Sequence, residues 1–184
     1  MNPLALPDPA ARIEAAYRAI CEGRMRGLPL LNSALRVETV GFRTWESHWL
    51  GVLITPWFMN LMLMPREPGK WRAAAAGDAV AYLFPSGTFE FLSGHDEALG
   101  EYQSCSLFSP MFQFTDQQAA RLTAQAALHS LFDPASLEQG AGAGPGSIGE
   151  AVMSKREFLL GGRIPQSREP AHEPAHEPAH EPER

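Results

Sequence analysis

Three histidines, His172, His176 and His180, recur every fourth residue in the C-terminal string EPAHEPAHEPAHEPER, the densest run of metal-capable side chains in the chain. Neutral imidazole suits nickel and zinc, and the interleaved glutamates add oxygen donors. A proline-rich backbone has about three residues per turn, so a period of four does not stack the ligands on one side. The string therefore predicts weak nickel or zinc binding at most, on a solvated, disordered tail, and nothing in the chain requires a cofactor. Cys105 lies between Ser104 and Ser106, and with His48, His95 and His129 it supplies the raw material of a thiol or serine hydrolase. No nucleophile elbow, glycine-rich phosphate loop or paired metal-ligand spacing accompanies it, so a buried structural cysteine is the expected role and a Cys105-dependent hydrolase the lesser alternative. Cys21 and Cys105 are far apart and form no CxxC pair, which leaves a zinc site or a disulfide framework without support.

Two further strings carry binding chemistry. SKREFLL at residues 154–160 is similar to the twin-arginine export motif at Ser154, Arg156, Phe158 and Leu159, with Lys155 in place of one arginine. It lies near the C-terminus and has no apolar stretch after it, so it is not an export signal of its own. The run WLGVLITPWFMNLMLMP at residues 49–65 is uncharged, but it is shorter than the roughly 20 apolar residues of a spanning helix and is interrupted by Pro56. Two buried strands meeting at a corner fit it better. Alternation sends Trp57, Met59, Leu61 and Leu63 to one face, and Phe58, Asn60, Met62 and Met64 to the other. One face is expected under the helices; the other needs a second cover from terminal segments, another subunit or an apolar ligand. Flexible, polarizable methionines suit a surface that accepts varied apolar peptides, although a wholly internal core accounts for the same residues.

The elements that hold these strings in place follow from periodicity. Asp8-Pro9 opens a helix whose apolar face is Ile13, Ala16, Tyr17, Ile20 and Cys21. Strands are predicted at 35–42, 50–55, 58–63, 79–84, 88–92 and 102–108, with Pro85-Ser86-Gly87 as a hairpin turn. In the strand after that turn Phe89 and Phe91 share one face, Thr88 and Glu90 the other. Thr115 and Gln118 form an expected capping box for a helix ending near Phe132, with Ala120, Ala124, Ala127, Leu128 and Leu131 inward and Leu122 off the stripe. Helix, five to six strands, helix is an α+β order with a mostly antiparallel sheet. The 184 residues, 45% hydrophobic and 20% charged, provide one globular domain at 1–137. A glycine-rich linker at 138–153, the twin-arginine-like segment at 154–162 and the repeat tail at 163–184 follow. With a net charge of -6 no part of the chain advertises a nucleic-acid surface and none is expected, and the N-terminus has no basic start followed by an apolar stretch, so membrane insertion and secretion are not expected and the cytoplasm is.

Residues 40–65, FPSGTFEFL at 84–92 and YQSCSLFSPMFQF at 102–114, taken together and in this order, resemble the HybE/HupJ family of nickel-iron hydrogenase assembly chaperones. The resemblance covers about residues 10–135, and the string near SKREFLLGG shares it; the repeat tail and the rubredoxin domain of some relatives do not figure in it. It implies a cytoplasmic, non-enzymatic protein that binds small and large hydrogenase subunit precursors, including a twin-arginine signal peptide, and delays export until maturation and subunit assembly. An accessory role in nickel binding through the tail is the alternative. Within that frame Trp57, Phe58, Asn60, Met62 and Phe112 are the expected peptide-binding surface. Glu46 and Glu90 are expected to face the arginines of the signal, since guanidinium forks pair well with carboxylates. Ser154, Lys155, Arg156, Phe158 and Leu159 then read as a mimic of the client signal, tethered by the linker. The oligomeric state stays open.

Overall fold

The computed structural model describes residues 5–134; the predicted linker, twin-arginine-like segment and repeat tail lie outside the described residues. Helix α1 (Ala10–Glu22) is followed by strands β1 (Glu38–Trp45), β2 (His48–Ile54), β3 (Met59–Pro65), β4 (Ala79–Phe84), β5 (Gly87–Asp96) and β6 (Gly100–Phe108), and by helix α2 (Gln117–Leu131). The strands form one antiparallel sheet in the order β1-β2-β3-β6-β5-β4. Two three-stranded meanders are thus joined where β3 meets β6. This is the α+β architecture expected from the sequence.

Local chemistry explains the elements. The N-cap of α1 is Pro9, which offers no side-chain cap; the expected Asp8 cap is replaced by an Asx turn in which Asp8 Oδ1 accepts from the Ala10 amide at 2.9 Å. At α2 the cap is Asp116, whose Oδ1 accepts from the Ala119 amide at 2.8 Å; the expected Thr115–Gln118 box does not form. A carboxylate is the stronger cap because it also complements the helix dipole. Strand β1 begins three residues later than predicted and carries a bulge between Val40 and Arg43. Gly41 sits there with φ +64°, and a Cβ at that position would lie 2.7 Å from the Leu128 side chain of α2. Pro56 occupies the predicted corner, where Thr55 Oγ1 accepts from the Phe58 amide at 2.9 Å.

The alternation along β2 and β3 holds. Leu50, Val52, Ile54, Met59, Leu61 and Leu63 enter the core under α2, while Leu53, Met62 and Met64 enter a second cluster with Ile13 of α1. The expectation that both helices share one face is corrected: α2 covers one face, here the inner, and α1 covers part of the other. Arg121 Nε and Nη2 donate to the Glu38 carboxylate at 2.7 and 3.1 Å, and Gln117 Nε2 does so at 2.8 Å, fastening α2 to β1. On the outer face Glu14 Oε1 accepts from the Thr39 amide and hydroxyl at 2.9 and 2.8 Å. The lead-in is held by the Trp49 indole N–H donating to the Leu6 carbonyl at 3.0 Å. At the far edge, Arg72 Nη1 donates to the Ala81 carbonyl of β4 at 2.7 Å.

Candidate functional site

Helix α1 packs over β1, β2 and β3, and no described residue lies over the other half of the outer face. The cross-strand pairs Ala79–Leu92, Ala81–Glu90 and Leu83–Thr88 place these six side chains on the face opposite Tyr82, Phe84, Phe89 and Phe91, which are buried beneath the sheet. Leu83 is 76% exposed and Leu92 55%. Leu92 pairs with Ser104, and Ser104 with the buried Met62, so the bare surface runs without a break to the edge of the α1 cluster. Three strands at a spacing of about 4.8 Å make a shelf roughly 14 Å wide, room for one helix of about 10–12 Å diameter beside α1. Glu90 stands in the middle of this shelf, exposed, and forms no ion pair among the described residues.

The border has its own polar chemistry. Asn60, on β3 opposite Ser106, holds its Oδ1 buried without a hydrogen-bond partner among the described residues. An unmet buried acceptor costs roughly 1–3 kcal/mol. Phe58 meets Tyr17 of α1 edge to face at 5.7 Å. Burial, reinforced by Tyr102, pushes the Tyr17 phenol well above its ordinary value, and burial with Glu22 behind it pushes the Cys21 thiol up. In both cases burial disfavours the ionised form.

Phe58, Asn60 and Glu90 thus face the same side of the sheet. Met62 does too, but α1 covers it completely, so it forms the floor of the cluster and offers no surface. Trp57 is half-buried in the β2–β3 corner, its carbonyl accepting from Ser109 Oγ at 3.4 Å, and Phe112 is 58% exposed in the loop that begins at that serine. Glu46 lies on the other side, in the β1–β2 turn with φ 51°, close enough to His48 and Tyr82 to act on both. It is not brought together with Glu90. Leu83 and Leu92 escaped the sequence reading, although both are in phase with Glu90 and its partner Ala81.

The inner face holds little that resembles a reaction centre. Cys105 packs, partly buried, against the inner core. His48 is 3% exposed among the rings of Trp45, Trp71 and Tyr82, with neither nitrogen paired among the described residues. A cavity of about 30 Å³ bordered by Trp71, Ser93 and Gln103 holds a water at most. Among the described residues no three His, Cys, Asp or Glu side chains converge on a metal position, and no helix is long and apolar enough to cross a membrane.

The family described as NiFe-hydrogenase assembly chaperone, HybE, matches residues 8–161. The chain belongs to the HybE family. This HybE-family chaperone is 47% identical over 128 residues to the hydrogenase expression/formation protein HupJ of Bradyrhizobium diazoefficiens, covering 69% of this chain and 73% of that one. It is 40% identical over 154 residues to the hydrogenase expression/formation protein HoxT of Azotobacter vinelandii, covering 82% and 95%. The solution structure of HybE from Escherichia coli is similar at a TM-score of 0.57 and 25% identity, over 67% of this chain and 76% of that one. With the probable rubredoxin HupJ of Rhodobacter capsulatus the identity is 42%, and the HybE-family chain spans 42% of that protein's length.

Proposed function

We propose that this chaperone binds nickel-iron hydrogenase subunit precursors in the cytoplasm, among them a small subunit bearing a twin-arginine signal peptide, and delays its export until maturation and subunit assembly. The observation that carries this reading is the half-covered outer face: a helix-wide apolar shelf with an uncompensated carboxylate at its centre. The apolar core of a signal peptide lies along Leu83 and Leu92, with Phe58, Trp57 and Phe112 toward one end. Its arginines reach Glu90. Nothing in this binding mode calls for a catalytic group. Contact is mostly through side chains, so the pair of charges sets orientation while burial supplies most of the affinity.

The test is capture of the small-subunit precursor on the immobilised chaperone, with and without its signal peptide, alongside a Glu90→Gln variant. Loss of the signal is expected to reduce capture strongly, and Glu90→Gln to weaken it with the melting temperature unchanged. Equal capture of the precursor lacking its signal refutes signal recognition. Equal capture by the Glu90→Gln variant removes only the assignment of that carboxylate.

A further inference from the structure

We infer that the bare half of the sheet already has an occupant within the chain: residues 154–160, SKREFLL, dock on the β4–β5–β6 shelf, with Arg156 on Glu90 and the Phe158-Leu159-Leu160 run over Leu83 and Leu92. Four observations converge on this occupant. The first is where the described chain ends. The Leu131 carbonyl, at the end of α2, accepts from both the Ser86 amide at 3.2 Å and the Ser86 hydroxyl at 2.9 Å, and Phe132 packs edge to face on Phe84 at 5.8 Å. The described chain therefore ends beside the β4–β5 turn, four residues along β5 from Glu90, about 13 Å at strand rise.

The second observation is reach. Residues 135–153 separate Pro134 from Ser154 and contain the glycine-rich GAGAGPGS. A flexible chain of that length has a root-mean-square span of about 25 Å, longer than the distance to be crossed and shorter than would dilute the segment. The effective concentration at the shelf is on the order of 10 mM. A segment with an intrinsic dissociation constant near 1 mM is then bound about nine-tenths of the time.

Third is complementarity. The shelf carries one anion and two bulky apolar side chains, and the residues facing it on β4, β5 and β6 include no lysine or arginine. Between residues 135 and 184, only 155–160 bring two basic side chains, Lys155 and Arg156, within one residue, Glu157, of three large apolar ones, a net charge of +1, and the repeat tail beyond is acidic, with five Glu against two Arg over 165–184. A second copy seated through the same face brings another Glu90 and no cation. Last, the family match runs on through residue 161, past the described domain and the glycine-rich stretch to the end of this string.

The docking stands on these observations alone. Its regulatory consequence, that a client signal must displace the chain's own segment, rests on the function proposed above. The experiment uses the full chain and its variant Arg156→Glu/Phe158→Ser/Leu159→Ser, altered outside residues 5–134, with a fluorescent peptide of residues 151–163 as probe. The probe is expected to bind the variant about tenfold more tightly than the unaltered chain, and Leu83→Ser/Leu92→Ser in the variant is expected to abolish that gain. Equal affinity for the two chains, or no binding to either at millimolar peptide, overturns the inference. A tail variant that loses a concentration-dependent dimer, with no change in probe affinity, assigns the shelf to a second copy and overturns it equally. A client signal peptide titrated into the same two chains separates the readings: client binding without probe binding leaves the proposed function standing and removes the resident segment.

Discussion

Leu83→Ser/Leu92→Ser separates a binding surface from an incidental patch. With 76% and 55% of the two residues exposed, a ligand that covers both removes on the order of 200 Å² of apolar surface from water. At about 25 cal/mol per Å² the ceiling is roughly 5 kcal/mol. Ordering of the peptide and its side chains takes a large share of any such gain, leaving about 2 kcal/mol, or roughly thirtyfold in Kd. Folding stability is expected to stay within about 0.5 kcal/mol, because neither side chain belongs to the core. The measurement is fluorescence anisotropy with a labelled twin-arginine signal peptide. It is made in the background with residues 156, 158 and 159 substituted, so that the chain's own segment does not compete. Thermal unfolding of the same samples is the control. A change in Kd below threefold with an unchanged melting temperature refutes the placement of the client on this shelf, whatever the family's role in assembly.

The remaining predictions concern how the shelf is held. Hydrogen bonds from Arg121, with Gln117 adding to them, hold the Glu38 carboxyl below its ordinary value, so its contribution to stability is present above the unfolded carboxylate pKa and is lost as pH falls through the lowered folded one. Glu38→Gln is expected to cost about 1–2 kcal/mol near neutrality, and the gap from the unaltered chain to close below about pH 4; a gap that persists into acid denies the linkage. Asp116→Ala removes the α2 cap and is expected to cost about 1 kcal/mol by urea unfolding, with the m-value unchanged. Burial pushes the His48 pKa down, with Arg72 adding to the depression and Glu46 opposing it. Below about pH 6.5 the unfolded chain takes up the proton that the buried ring resists, so stability falls as pH drops. His48→Phe is expected to flatten the melting temperature between pH 6.5 and 5, and parallel curves for the two proteins refute it.

Much of the architecture is legible from local patterns. The Ile13–Cys21 stripe, the proline corner at 56, the Phe89–Phe91 alternation and the α2 stripe with Leu122 left outside, 57% exposed, all appear where periodicity puts them. The joining of β3 to β6 has no local signature, since it brings together residues some forty positions apart, such as Leu61 and Cys105. With that pairing hidden, the surplus apolar face of β3 read as open surface, whereas α1 lies across it and takes Met62 and Met64 inside. The openness belongs instead to β4 and β5, where it was masked because Ala79, Ala81, Leu83 and Leu92 are individually unremarkable. Strand phase alone places them beside Glu90, and only the covered extent of α1 shows that nothing in the described domain lies over them.

The guanidinium of Arg72 has a consequence for the manner of recognition. β4 is an edge strand beside an apolar surface, the arrangement that ordinarily templates strand addition and aggregation. Arg72, lying over the Tyr82 ring at 4.8 Å, occupies the Ala81 carbonyl on that edge, an acceptor an incoming strand needs. In the binding mode proposed above, a guest is read by its side chains and keeps its backbone hydrogen bonds to itself. Such reading asks for charge followed by greasiness rather than for a particular string of residues, and it releases its guest without unzipping a sheet.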